Sequence, residues 1–305
     1  MRKGIFLLTL MVITFSNFSF SDNHLFSLKI SGGMSRVYDG GDLKKWFNGE
    51  KAYFDWLGKQ QNYSTKSNYP FKQDGPEGNF EVIFKPLNYL GVSVGLGYTR
   101  RIWSSSSEVN YNHGGNLGYD KIELSSKNEL NVFPVTLSLI FSVPYKFLRA
   151  NFFAGGGYYY ANLKFNMESK YFWQNFPDRE NYKHHYTSNL TTHSEGAGFH
   201  GGIGLEVKII SHLSFSIDAF FRNVKLGDIK GELKWNEILE WSGYKKENSG
   251  SEKNQTLWFG SFKVDGNQFE RAIFSGEKPS LFENARPFNF NLNGTFIKAG
   301  IVLSF

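Results

Sequence analysis

Hydrophobic residues recur at every second position in eight segments of the chain. In the seventh segment Leu213, Phe215 and Ile217 alternate with serine and aspartate. Strict alternation indicates a β-strand with one apolar face and one polar or small face. The eight predicted strands are Leu25–Val37, Asn79–Lys85, Leu90–Trp103, Asn131–Val143, Phe147–Phe165, Gly196–Lys208, Leu213–Arg222 and Gly294–Phe305.

Short and long connections alternate between these strands. Only three or four residues join strands two and three, four and five, and six and seven. An even strand number with short turns at one end and long loops at the other is typical of an outer-membrane barrel, and a sheet in hydrocarbon must close because its edges find no water. The sequence therefore predicts an all-β fold, an eight-stranded antiparallel up-and-down transmembrane β-barrel with both termini at the periplasmic end. Its long extracellular loops would be Tyr38–Gly78, Ser104–Leu130, Asn166–Glu195 and Asn223–Asn293.

The N-terminal segment predicts export. Met1-Arg2-Lys3 is followed by the apolar run Gly4–Phe15 and by a polar stretch that ends in Ser19-Phe20-Ser21. These are the three regions of a secretory signal peptide, and the apolar run is too short to span a bilayer as a helix. We expect residues 1–21 to be the signal peptide and residues 22–305 to be the barrel domain, located in the bacterial outer membrane.

Composition removes several classes of function. The chain has no cysteine, which excludes a disulfide scaffold, a thiolate metal site and a cysteine nucleophile. Its net charge of +6 is spread without a basic block, so nucleic acid is not an expected partner. Aromatic residues make up 18% of the chain, which is typical of an ordered fold rather than a disordered one.

The C-terminal strand carries a resemblance to known proteins. Phe305 ends an apolar face that it shares with Leu303 and Ile301. This ending resembles the assembly signal of bacterial outer-membrane proteins, which implies the barrel-assembly machinery as a partner beside outer-membrane lipid. Two segments, Phe133–Tyr160 and Gly198–Arg222, are similar to the small outer-membrane β-barrel family of the OmpA-transmembrane, OmpX and OmpW type. The predicted loops are longer than in the smallest members of that family. We expect no periplasmic peptidoglycan-binding domain after the last strand, and we expect a monomer.

Ionisable residues fall on the inward faces of the predicted strands. Eight strands leave an interior just wide enough for side chains, and charges there are costly unless they are paired. The network would either fill the barrel as structural salt bridges or form a gate in which exchange of partners opens a path for ions. Its predicted members are Lys29, Glu81, Arg101, Arg149, Glu206, Asp218, Arg222 and Lys298. Counted from the periplasmic end, the predicted neighbours are Lys29 with Glu81, Asp218 with Lys298, and Glu206 with Asp218 and Arg222.

The tryptophan residues are confined to one end of the predicted barrel. Trp103 ends a strand on the loop side, where a membrane-interface belt would explain it. The helical spacing of aromatic residues within Leu43–Leu57 predicts a short amphipathic helix over the barrel mouth. Leu257–Val264 and Gln268–Phe274 flank Asp265-Gly266 and predict a hairpin, either as an extracellular extension or as strands nine and ten. The predicted surface-loop aromatics are Trp46, Trp56, Trp173, Trp235, Trp241 and Trp258.

Candidates for catalysis and metal binding are weak. His212-Leu213-Ser214 falls on a predicted periplasmic turn, and the histidines of one predicted loop, His184, His185 and His193, lack a nearby carboxylate cluster. We therefore expect no catalytic residue, no metal and no cofactor. The first hypothesis is a non-enzymatic outer-membrane protein that is structural or adhesive, or captures an extracellular ligand, through four surface loops. The alternatives are a narrow OmpW-like channel for small or apolar molecules and a lipid-modifying enzyme.

Overall fold

The computed structural model describes residues 24–38, 40–70, 73–113, 119–173 and 182–305. The predicted signal peptide lies outside these residues. One helix and thirteen strands are found in the described residues. They are β1 (Phe26–Val37), α1 (Asp42–Leu57), β2 (Tyr63–Asn68), β3 (Asp74–Leu87), β4 (Leu90–Asn112), β5 (Tyr119–Tyr145), β6 (Leu148–Trp173), β7 (Tyr182–Ile210), β8 (Leu213–Trp241), β9 (Tyr244–Val264), β10 (Asn267–Ser275), β11 (Glu283–Pro287), β12 (Phe290–Asn291) and β13 (Gly294–Ser304).

Eight of these strands form a closed antiparallel ring. Each strand of the series β1, β3, β4, β5, β6, β7, β8 and β13 pairs with the next, and β13 pairs with β1. The ring corresponds to the eight predicted strands, and the predicted all-β antiparallel barrel is confirmed. The three predicted short turns lie at one end of the ring. At the same end Phe305 donates its backbone N–H to the carbonyl oxygen of Phe26 at 2.8 Å.

Above the ring the sheet continues where long loops were expected. β4 and β5 are 23 and 27 residues long, and β7 and β8 are 29 residues each. These strands run far beyond the predicted ends, so the expectation that 104–130, 166–195 and 223–293 are long loops is wrong in the described residues. The predicted count of eight applies to the ring alone, since the whole sheet contains thirteen strands. The sheet therefore continues beyond the ring as a second region, which we call the extension. It consists of α1, β2, β9, β10, β11 and the parts of β4 to β8 that lie beyond the ring.

The predicted hairpin belongs to the extension. β9 pairs with the upper half of β8, whose lower half pairs with β13, and β10 pairs with β9. The alternative of ring strands nine and ten is therefore wrong. Asp265 and Gly266 both have positive φ, 48° and 78°, and Ser242 and Gly243 show 45° and 78° at the tip between β8 and β9. Paired left-handed residues form the two-residue turn that suits the twist of antiparallel strands.

Helix α1 fills the gap between the two edges of the extension. It contacts β10 on one side and β2 on the other. A glycine makes the close approach on the β10 side, because a Cβ at Gly49 would lie only 2.0 Å from the carbonyl oxygen of Glu270. On the β2 side the Thr65 hydroxyl donates to the Phe54 carbonyl oxygen at 2.9 Å. The predicted amphipathic helix is confirmed, and it replaces a strand in the wall of the extension. No helix in the described ranges is long and apolar enough to cross a membrane.

Candidate functional site

The outer face of the ring is an uninterrupted apolar surface, which we call the belt. Large hydrophobic side chains project outward from all eight strands with exposures such as 65% at Ile30, 58% at Leu137 and 76% at Phe199. A soluble monomer rarely exposes apolar patches of more than a few hundred square ångströms. On the extension side of the belt lie aromatic residues, among them Tyr98 and Phe133, and aromatic residues also flank the end with the short turns. The structure therefore has an apolar girdle with aromatic margins, the surface that hydrocarbon would solvate.

The inside of the ring is filled with charge. The eight predicted network residues all point inward, and none is more than 7% exposed. In the middle layer Lys29 bonds Asp218 at 2.5 Å, and Lys298 bonds Glu81. These are crossed pairs. In the strand register Lys29 lies opposite Glu81 and Lys298 lies opposite Asp218. Instead, Lys29 reaches across β13 to Asp218 on β8, and Lys298 reaches across β1 to Glu81 on β3.

The predicted partners of Glu206 are wrong. Glu206 lies in a lower layer, 3.5 Å from Arg149 and 3.8 Å from Lys85, and it accepts a hydrogen bond from Asn151 at 3.3 Å. Arg149 lies directly opposite Glu206 in the register of β6 and β7, so this ion pair follows from the alignment of two adjacent strands. Lys85, whose side chain is 7% exposed, was missed although it shares the inward face of Glu81.

The upper layer pairs Arg222 with Glu77, a residue that precedes the predicted second strand and was also missed. The distance from Nη1 of Arg222 to Oε2 of Glu77 is 3.0 Å. Arg101 lies near this pair and donates to the Ser35 hydroxyl at 2.6 Å and to Thr99 at 3.3 Å. The layer thus holds its charges through one ion pair and several neutral acceptors.

Phenylalanine side chains in the lumen lie against the buried lysine ammonium groups. Phe220 and Phe296 stack with ring centroids 4.8 Å apart, and the Lys298 ammonium lies 4.7 Å from the centre of the Phe220 ring. Such contacts favour a desolvated cation. Glycines make room for this filling, since a Cβ at Gly204 would lie 2.2 Å from a carboxylate oxygen of Asp218. Two small cavities of about 20 and 30 Å³ remain in the described lumen, enough for one or two water molecules each.

Above the charges an apolar core, which we call the plug, closes the extension. Its members are buried and form one connected cluster; they include Val37, Leu43, Phe47, Trp103, Leu130, Phe165, Leu190, Leu226 and Phe288. Phe47 meets Trp103 edge to face at 6.2 Å. Trp103 is only 4% exposed, so its predicted place in a membrane-interface belt is wrong. Burial raises the pKa of Tyr69, beside Phe47, to about 12, so its hydroxyl stays protonated at 3.1 Å from the Ser107 hydroxyl.

Two bidentate ion pairs hold α1 in the plug. Asp42 accepts from Arg286 at 2.5 and 2.6 Å, and the hydrogen bond to Asp42 raises the pKa of the Arg286 guanidinium. Glu50 accepts from Arg271 at 2.6 and 3.3 Å. Bidentate arginine–carboxylate contacts fix geometry as well as charge. The helix is therefore anchored at its start and its middle to the segment that follows β9.

The six predicted surface-loop aromatics lie on regular elements and not in loops. Trp46 and Trp56 are on α1, and Trp258 is on β9, where its indole N–H donates to the carbonyl oxygen of Ser275 at 3.2 Å. Trp46 contacts Phe165 inside the plug at 5.4 Å. The other three are on the concave face of the extension, the face continuous with the lumen: Trp173, Trp235 and Trp241.

A row of six aromatic residues and one aspartate crosses the concave face near its upper edge. We call it the rim row; its members are strand neighbours from β2 to β9, namely Tyr63, Tyr111, Asp120, Trp173, Tyr182, Trp241 and Tyr244. Ring centroids are 4.5 Å apart for Trp173 and Tyr182, 6.3 Å for Tyr182 and Trp241, and 4.4 Å for Trp241 and Tyr244. Most of these side chains are half-buried. The row places ring surface at the open end of the extension.

Polar groups lie directly beside the rim row. His184 stacks on Tyr171 at 5.3 Å, and its Nε2 is 2.9 Å from Glu237. His113 is 2.9 Å from Asp120. The histidines were predicted to share a loop, but they lie on β7, and His185 points to the opposite face, where it contacts Glu168 at 2.8 Å.

Comparison with known proteins gives weak similarities to solved structures. No family model matches the chain, and no curated protein matches it. The outer membrane protein OprG from Pseudomonas aeruginosa is 10% identical with a TM-score of 0.36, covering 92% of this chain and 97% of that one. A major outer membrane protein from Thermus thermophilus is 11% identical with a TM-score of 0.36, covering 93% and 100%. The outer membrane protease OmpT from Escherichia coli is 13% identical with a TM-score of 0.28, covering 94% and 99%. The fold assignment rests on the strand pairing of this chain itself.

Proposed function

We propose that this protein is an integral outer-membrane β-barrel that anchors a ligand-binding extension outside the cell. The observation that carries the proposal is the belt, which surrounds all eight strands of a closed ring. The predicted signal peptide and the C-terminal apolar face with Phe305, Leu303 and Ile301, all exposed, support export and recognition by the barrel-assembly machinery. The closer kinship with the OmpA-transmembrane, OmpX and OmpW type is part of this proposal.

Immersion of the belt in lipid can be tested with a charge. Leu137→Arg places a cation on the outward face of β5, where an arginine at the bilayer midplane costs about 2–4 kcal/mol. We expect that loss in the free energy of unfolding, measured by urea titration of the barrel in lipid vesicles. Ser125→Arg lies on the same face of the same strand but on the extension, and should change stability by less than about 0.5 kcal/mol. Equal effects of the two substitutions would contradict immersion of the belt.

The filled interior favours an anchor over the alternative of a narrow channel. Ion pairs occupy the ring, and the plug covers them with apolar side chains. We therefore expect no conductance steps in planar bilayers, either for the wild type or for Glu206→Ala. The substitution removes a carboxylate below the plug and leaves the apolar layer intact. Steady conductance of the wild type would favour the channel, and conductance only in Glu206→Ala would favour the gate.

Ligand capture, rather than catalysis, is the role that the extension supports. Its concave face carries a row of neighbouring aromatic rings at the open end. Rigid aromatic side chains provide contact area at low entropic cost. In this proposal the protein is a monomer without a cofactor, and outer-membrane lipid surrounds its ring. A lipid-modifying enzyme would need a nucleophile and a base at the level of the outer leaflet. His212 lies instead at the turn end, where its Nδ1 is 3.1 Å from the Ser304 carbonyl oxygen.

A further inference from the structure

We propose that the rim row binds a neutral polysaccharide. The inference rests on the proposed function, in which the extension faces the exterior of the cell. The ring centroids of the row are 4.4 to 6.3 Å apart, close to the strand spacing of about 4.8 Å and to the length of one sugar unit in an extended glycan. Trp173, Tyr182, Trp241 and Tyr244 follow one another on four adjacent strands without interruption. A glycan lying across the strands would meet one ring per sugar.

The chemistry of the rings suits a sugar. The face of an aromatic ring carries partial negative charge, and the C–H groups on the face of a pyranose carry partial positive charge. The rings are already ordered by contact with one another, so little conformational entropy is lost when a ligand binds. A glycine supports the same surface one strand away, since a Cβ at Gly250 would lie 2.7 Å from the indole ring of Trp235.

Hydrogen bonding beside the row favours a hydroxylated ligand over a cationic one. An aromatic cage for a quaternary ammonium group would be strengthened by a carboxylate that makes no hydrogen bonds of its own. Here Asp120 lies 2.9 Å from His113, and Glu237 lies 2.9 Å from His184. Glu237 also accepts a hydrogen bond from Asn248 at 3.0 Å. These paired polar groups can exchange hydrogen bonds with sugar hydroxyls, which act as both donors and acceptors.

The test compares glycan binding by variants of the full mature chain in detergent. The probes are cellohexaose, laminarihexaose and mannohexaose, with heparin as a polyanion, and binding is followed by calorimetry and by tryptophan fluorescence. The variant Trp173→Ala with Trp241→Ala should weaken binding of a neutral glycan by about a hundredfold, or tenfold for each ring. Replacing both residues by phenylalanine keeps a ring at each position and should restore most of the affinity.

Phe172→Ala is the matched control. Phe172 stands between Tyr171 and Trp173 on β6 but alternates to the opposite face, so its loss should leave glycan affinity unchanged. A wild type that binds none of the neutral glycans, or a Phe172→Ala variant as weak as the double alanine variant, overturns the inference. Preferred binding of heparin also overturns it. A folded barrel in detergent migrates faster on gels when the sample is not heated. If the wild type shows this migration but binds no neutral glycan, the inference fails while the proposed membrane anchor stands; if the migration is also lost, the proposed anchor fails.

Discussion

Replacing Asp218 by alanine should destabilise the barrel by about 3–5 kcal/mol, because removal of one member of a buried ion pair leaves the other charge without its partner. Lys29 bonds Asp218 at 2.5 Å, and both side chains are almost completely buried. The substitution leaves Lys29 and Lys298 to share Glu81 in the middle layer. The free energy of unfolding from urea titrations in lipid vesicles measures the loss.

An exposed pair of the same length is the control. Lys51 and Asp55 also lie 2.5 Å apart, but their side chains are about half exposed on α1. Asp55→Ala should cost less than about 1 kcal/mol, because water solvates the remaining lysine. The double variant Lys29→Met with Asp218→Leu removes both buried charges and should recover most of the stability lost in Asp218→Ala. If Asp218→Ala costs no more than Asp55→Ala, the lumen must be hydrated and the filled interior is wrong.

The membrane-facing part of the fold was predictable because lipid imposes the pattern. Leu213, Phe215 and Ile217 must be apolar on one face while the lumen needs small or polar residues on the other, so alternation marks the strand. Above the belt both faces of the extension can be polar. Ser104–Ser107 is a run of four serines inside β4, and no period can be read from it. The pattern therefore predicts loops where the structure has long strands.

The candidate sites were predictable in face but not in partner. Alternation placed Lys29, Asp218 and Lys298 inside correctly, and their exposure is 5% or less. It could not decide that the lysines cross, because a long side chain in a narrow curved lumen reaches more than one acceptor. Trp103 shows the opposite case. It has the same parity as Arg101, so the inward position was readable, but the preference of tryptophan for interfaces suggested otherwise.

The rim row needed the register of strands that the sequence did not reveal. The sequence indicates that Trp173 and Trp241 lie beyond the membrane-facing strands, but nothing in it connects Tyr63 or Tyr182 with them. Only strand pairing aligns residues that are more than a hundred positions apart in the chain, as for Tyr63 and Trp173. For the same reason the sequence predicts His184 and His185 as members of one loop, in which residues have no fixed face. On β7 their side chains lie on opposite sides of the strand.

Helix α1 should leave the wall of the extension when Gly49 is replaced by leucine. A Cβ at this position would lie 2.0 Å from the backbone oxygen of Glu270, and backbone of a paired strand cannot yield as a side chain can. The helix must therefore move away from β10, which also separates Glu50 from Arg271. Overpacking of this kind costs about 1–3 kcal/mol. Since α1 fills the gap between β2 and β10, its displacement should open the plug.

Limited trypsin digestion and bilayer recording together measure the opening. An increase of about 2 kcal/mol in the free energy of the closed wall raises cleavage at Lys44, Lys45 and Lys51 about thirtyfold when opening is fast relative to cleavage. The same variant should stay silent in planar bilayers, because the ion pairs of the ring still fill the lumen below the plug. Asn48→Leu adds the same side chain one residue earlier at an exposed position of α1, and should change neither measurement. If Gly49→Leu is cleaved no faster than the wild type, the close approach of α1 to β10 does not hold the wall of the extension. If Gly49→Leu conducts, the plug and not the charged layers of the ring closes the lumen.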